Sequence, residues 1–148
     1  AVLLLTGEPG SGKTVFLREL ADAVENGKPF RGLETAFVGV SYYDALLRDR
    51  DLTVAELIDR EKVGSVGPKL ILIDEFDQVT HHSGLAPLIA IQPLAAHARI
   101  TGSTVVAVSR AGGLDWHGYV AGVIELRRDR SLRRILTGKP TLELEAAS

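Results

Sequence analysis

Eight residues near the start of the chain, Gly7-Glu8-Pro9-Gly10-Ser11-Gly12-Lys13-Thr14, have the types and spacing that phosphate chemistry needs. They fit G-x-x-x-x-G-K-[ST], the phosphate-cradling P-loop. Gly7, Gly10 and Gly12 open backbone conformations that a Cβ would close, so successive N–H groups can converge on one anion. Lys13 brings a compact positive charge to the β- and γ-phosphates, and the Thr14 hydroxyl suits the magnesium that travels with them. Together with Val15, these residues form the expected nucleotide-binding segment. A glycine-rich turn without a ligand is the plainer alternative.

A second stretch supplies what such a loop lacks. Leu70-Ile71-Leu72-Ile73-Asp74-Glu75 is an apolar run ending in two acids. Asp74 is expected to hold the metal with Thr14, and Glu75 to polarise an attacking water. The plain alternative is a pair of exposed acids at a strand end. Further on, Thr104-Val105-Val106-Ala107-Val108-Ser109 is another strand-like run. Ser109 at its end is expected to sense the γ-phosphate or position the water, unless it is a simple turn residue. Arg110 beside it could stabilise phosphoryl charge in its own subunit or across an interface, or lie on the surface. Lys13, Glu75 and Arg110 are thus the expected catalytic groups.

Loops of this kind act only when elements on either side hold them. Ala1 to Leu5 reads as a buried strand, and Leu17, Leu20, Ala21 and Val24 recur at helical spacing after the loop. Asn26-Gly27 should stop that helix, with Pro29 beyond it. A second strand is expected over Glu34–Val40, then a short helix over Tyr42–Arg50. Thr53-Val54-Ala55-Glu56 is a capping-box pattern opening a helix to about Arg60. A loop through His81–Gly84 should precede a helix from about Leu85 to Ile100, with Pro87 in its first turn and Pro93 breaking or kinking it. Val123–Leu126, Leu132–Leu136 and Thr141–Leu144 are the remaining expected strands. Alternating strands and helices imply an α/β fold with a mostly parallel sheet, whose ligands bind at the carboxyl ends of the strands.

Other features are weaker. Arg127, Arg128, Arg130, Arg133 and Arg134 read first as a solvated edge strand guarded against aggregation. They could instead meet a neighbouring subunit's nucleotide, an acidic partner or nucleic acid. His81-His82 lacks a ligand cluster, and Trp116 and Tyr119 suggest local packing or a nucleotide or partner contact.

With 148 residues, 45% hydrophobic and 24% charged, the chain suits one domain, 1–148, with an ordinary core. A net charge of −2 gives no global pull toward nucleic acid or anionic membrane. Cysteine is absent, which excludes disulfides, thiolate metal sites and cysteine nucleophiles, and fits a reducing, cytoplasmic compartment. No apolar run approaches the roughly 20 residues of a membrane span. Methionine is absent even at position 1, so a domain excised from a longer chain is expected. A membrane anchor could lie in the missing segments.

The only asparagine is Asn26, so the N-K-x-D motif that selects guanine is missing and ATP is the expected nucleotide. LILIDEFDQV and HARITGSTVVAVSRAGG resemble the FtsK/SpoIIIE translocases and the EccC ATPases of type VII secretion. GEPGSGKT and the ending from VSRAGGLD are also similar to AAA+ proteins, and the loop and strand entry to RecA- and KaiC-like ones. AAA+ proteins normally carry Asn where Ser109 stands. The FtsK-type resemblance implies a three-layer P-loop NTPase sandwich with an extra strand between the loop strand and the acidic strand. It also implies a homo-oligomeric ring that hydrolyses ATP with Mg2+ to move DNA or protein. A non-hydrolysing ATP-binding interaction module, or an AAA+/RecA-like remodeller, remains the alternative.

Overall fold

The apolar residues at the N-terminus form β1 (Val2–Thr6), an inner strand of a six-stranded sheet. The computed structural model describes residues 1–31, 36–64, 67–110 and 119–135. After β1 come α1 (Lys13–Glu25), β2 (Gly39–Asp44), α2 (Val54–Val63), β3 (Lys69–Asp74), α3 (Phe76–Ser83), α4 (Pro87–Thr101), β4 (Thr104–Val108), β5 (Gly122–Leu126) and β6 (Leu132–Ile135). The strand order is β2-β3-β4-β1-β5-β6. Five strands are parallel, and β6 returns antiparallel to β5. β4 therefore lies between β1 and β3, the arrangement expected of a P-loop NTPase fold.

Alternation along the inner strands feeds two cores. Leu4, Ile71, Ile73, Val105, Ala107 and Val123 face α2, α3 and α4, where Leu57, Phe76, Ile91 and Leu94 meet them. Leu5, Leu70, Leu72, Val106 and Val108 face α1 through Phe16, Leu17 and Val24. This is the three-layer sandwich. A strand covered on both faces can be apolar throughout, which is why β3 reads as a continuous run. Each fully buried Leu or Ile contributes on the order of 1.5–3 kcal/mol.

Four elements differ from expectation. The helix expected over Tyr42–Arg50 is replaced at its start by strand, because β2 runs to Asp44 with Tyr42 opposite Leu72 and Tyr43 opposite Ile73. Aromatic residues favour such a pleated, half-covered position. Asp44 then ends the strand by accepting from the N–H groups of Leu46 and Leu47. Of the second strand expected over Glu34–Val40, residues 34–35 lie outside the described residues, residues 36–38 are not strand, and only Gly39 and Val40 belong to β2. Leu136 and Thr141–Leu144 also lie outside the described residues.

The loop expected at His81–Gly84 is the end of α3. Phe76, Val79 and Thr80 are buried on its inner side, and Gly84 closes it in a left-handed conformation. Pro93 neither breaks nor ends α4. An interior proline costs ~3 kcal/mol, but Ala90, Ile91, Leu94, Ala95 and Ala98 are buried on both sides of it and hold the helix on the sheet. Thr53 accepts from the Glu56 N–H at 3.2 Å, and α1 stops at Asn26-Gly27 with the Lys28 N–H on the Ala23 carbonyl at 2.9 Å. None of the described helices is long and apolar enough to cross a membrane.

One buried acid ties β2, α2 and β3 together. Glu61 is 4% exposed. It receives the Tyr43 hydroxyl on Oε2 and faces the Lys69 Nζ at 3.1 Å from Oε1. Burial pushes the Glu61 carboxyl up, but hydrogen bonds from Tyr43, Lys69 and Ser41 outweigh it and hold the group below the ordinary carboxylate range. A carboxyl so lowered contributes stability above its unfolded value, near 4.5, and loses it as pH falls through the folded value. Tyr43→Phe is expected to remove about 1–2 kcal/mol of unfolding free energy at neutral pH, and clearly less below the carboxylate range. Urea titrations across pH check this; an equal loss at every pH would contradict it.

Candidate functional site

The P-loop joins β1 to α1, and its shape depends on its glycines. Gly10 has φ 82° and Gly12 φ 90°, both in the left-handed region. Gly7 is fixed by closeness instead: a Cβ there would stand 2.6 Å from the Leu126 carbonyl oxygen and 2.8 Å from Ser11 Oγ. The loop therefore lies directly on the end of β5. Ser11 is 2% exposed, with its hydroxyl unpaired among the described residues. The Lys13 ammonium donates to the carbonyls of Gly7 at 2.9 Å and Glu8 at 3.1 Å, so it is held at the mouth of the loop.

Thr14 reaches across the sheet. Its hydroxyl donates to Asp74 Oδ2 at 2.8 Å, joining the first turn of α1 to the end of β3. The Tyr42 hydroxyl, from β2, donates to the same oxygen at 3.3 Å. Burial, and then the charge of Asp74, push the Tyr42 phenol up to about 12, so it remains a donor. A hydroxyl and a carboxylate so close are hard oxygen donors of the kind magnesium takes, alongside phosphate oxygens and water. Among the described residues no cluster of three or more His, Cys, Asp or Glu is placed to hold a metal by itself.

Glu75 follows Asp74 with φ 56° and ψ 53°. A non-glycine residue in this region is strained, at about 1–2 kcal/mol, and such strain gathers where a side chain must be aimed. Here it turns the chain from β3 into α3. Glu75 lines a cleft of about 560 Å³ with Gly12, Lys13, Thr14, Val15 and Arg110. Pro9 and Gly10 belong to the same wall.

Ser109 does not line this cleft. It is 1% exposed, and its hydroxyl donates to Asp77 Oδ1 at 2.8 Å. The Arg110 N–H donates to Asp77 Oδ2, also at 2.8 Å. Asp77 thus straps the end of β4 to the helix that follows Glu75. Its importance was not legible in the sequence, where it reads as an ordinary first-turn acid. Glu8 is not among the residues lining the cleft, and its side chain pairs with Arg128 at 2.9 Å.

Tyr119 is a packing residue: it rests against the core and meets Gln92 at 3.0 Å. Trp116 lies outside the described residues. In the basic run, Arg133 stands on the edge strand 4.0 Å from Glu125, as an edge guard would. Arg128 and Arg130 instead turn toward the P-loop and α1.

Solved structures share this fold at low sequence identity. The N-terminal domain of zonular occludens toxin from Neisseria meningitidis aligns with 84% of the chain and 75% of its own length, at 18% identity and a TM-score of 0.52. Drosophila ORC bound to DNA aligns with 85% of the chain at 13% identity and a TM-score of 0.50. Cdc6p from Pyrobaculum aerophilum aligns with 84% at 16% identity and a TM-score of 0.50. The chain spans only 37% and 38% of those two proteins. No curated protein matches its sequence. The family model of the ATPase family associated with various cellular activities (AAA) matches residues 3–90, more than half of the chain and the whole segment from the P-loop strand through Asp74-Glu75, so the chain belongs to the AAA family.

Proposed function

We propose that this AAA-family domain binds ATP with Mg2+ and hydrolyses its terminal phosphoanhydride bond. The observation that carries this reading is the 2.8 Å bond from Thr14 to Asp74, with Glu75 and Arg110 on the same cleft. In the proposed mechanism the loop N–H groups and Lys13 hold the β- and γ-phosphates. Thr14 and Asp74 hold the magnesium, which when bound draws charge from the phosphate oxygens. Glu75 accepts a proton from water as the water oxygen bonds to the γ-phosphorus and the bond to the ADP oxygen breaks. Arg110 offsets the charge that builds up on the transferred group. Ser109 acts through Asp77 to fix where Arg110 begins.

The finer reading is a subunit of a homo-oligomeric ring motor, completed by an arginine from a neighbour. The FtsK/SpoIIIE/EccC resemblance of LILIDEFDQV supports it, as does a strand order with β4 between β1 and β3. DNA and protein are both candidate clients. Drosophila ORC, solved bound to DNA, shares the fold, which makes DNA a sensible first client to test.

ATP turnover over a wide range of protein concentration tests both levels, with Glu75→Gln for comparison. Turnover is expected to rise with concentration and to fall by about 10²–10⁴-fold in the variant, while ATP binding persists. Full turnover in the dilute monomer would remove the oligomer from the proposal. Binding without turnover at any concentration would favour an ATP-gated interaction module.

Asp77→Ala provides a second check. Turnover is expected to drop by about tenfold or more while ATP affinity changes little, because a small misplacement near the reacting group costs rate rather than binding. A matching loss of affinity, or unchanged turnover, would contradict the role given to Asp77.

A further inference from the structure

The turn joining β5 to β6 is built around an unusual residue. The Arg127 N–H bonds the Ser131 carbonyl at 2.9 Å, and the Arg130 N–H bonds the Arg127 carbonyl at 2.9 Å. Asp129 Oδ1 accepts from the Ser131 N–H, at 2.9 Å. This is a three-residue hairpin loop whose last position must be left-handed, a place that glycine normally takes. Arg130 occupies it with φ 72°. A large side chain is thus kept where the backbone favours none.

What Arg130 touches in return is the P-loop flank. Its Nη2 lies 2.9 Å from Glu19 Oε1 on α1. Its Nη1 lies 3.0 Å from the point where a Cβ on Gly12 would stand. The pair with Glu19 is open to water, with side chains 42% and 50% exposed. Exposed pairs of this kind contribute little to stability, so Glu19 alone does not account for the strain. Strain of this kind collects at functional sites. Gly12 is the residue immediately before Lys13 and itself lines the cleft. Arg128 holds the same turn from the other side through Glu8, and Gly7 is packed on Leu126.

We propose that Arg130 is a phosphate-binding residue supplied from within the same subunit. Glu19 parks its guanidinium beside Gly12, and the anionic polyphosphate of a nucleoside triphosphate draws it away from that carboxylate. Guanidinium suits this task because its donors match phosphate oxygens in pairs. The inference rests on the proposed ATP binding. It adds a second positive group, unrelated to the loop motif, to the same site.

Equilibrium binding of ATP with Mg2+, together with thermal unfolding, tests it in the native chain, Arg130→Gly, Arg130→Lys, Glu19→Gln and Lys13→Ala. Arg130→Gly is expected to weaken ATP binding by about tenfold, the scale of one charge-assisted contact, with an unfolding midpoint no lower than native. Arg130→Lys should keep most of the affinity, and Glu19→Gln should tighten binding, since the competing carboxylate is gone. Inorganic tripolyphosphate, used as a competitor, should lose affinity for Arg130→Gly as ATP does. Native affinity in Arg130→Gly would overturn the proposal. So would a loss of affinity accompanied by a lower midpoint, weaker binding in Glu19→Gln, or a loss for ATP but not tripolyphosphate. If Lys13→Ala also bound ATP normally, the ATP-binding reading itself would fail. If Lys13→Ala abolished binding and Arg130→Gly did not alter it, only the role of Arg130 would.

Discussion

The hydrogen bond from Thr14 to Asp74 joins the helix that follows β1 to the end of β3, a strand that is not the neighbour of β1. β4 lies between β1 and β3, so the two motifs meet only because α1 starts above the sheet edge and Asp74 closes β3 at the same edge. Parallel register makes this meeting exact enough to matter: Leu5 pairs with Val108, and Ile73 pairs with Ala107. All three strands therefore end together, and the loops they release share one cleft. A shift of one residue in any pairing would turn the alternate core residues outward. The buried faces of Leu4, Ile71 and Val105 thus hold the chemistry in register as well as the fold.

Around that bond the supporting contacts come from elements distant in sequence. Tyr42 reaches Asp74 from β2, and Asp77 reaches back to Ser109 and Arg110 at β4. Gly7 rests on Leu126 of β5. Each sets a side chain or the loop backbone against a partner whose own position is set by the sheet. The cleft is in this sense assembled from strand ends, with the P-loop as its floor and the acidic strand as its wall.

Much of this was legible in the residues. The P-loop has a fixed spacing because its geometry is local, and LILIDE announces a strand buried on both faces with acids at its end. What stayed hidden depended on contacts between distant segments. Tyr42 and Tyr43 joined β2 because β3 offered a ladder, and no local pattern reveals that. Pro93 stays inside α4 because buried neighbours on both sides outweigh a missing hydrogen bond. Ser109 signalled a polar strand end correctly, but its partner Asp77 lies 32 residues earlier and carries no motif. The arginines after β5 looked like one basic run, while the hairpin separates those facing the P-loop from Arg133 on the edge.

The inner place of β1 has a consequence for how the chain comes off the ribosome. Val2 to Leu5 is made well before its partners, β4 on one side and β5 on the other. Until residue 122 and beyond have emerged, this apolar strand has at most one of its two neighbours, and the loop after it lacks the Leu126 surface on which Gly7 rests. Contacts of such long sequence separation form late and leave apolar surface open meanwhile. The nucleotide cradle, made before both of those strands, is therefore among the last parts to take shape.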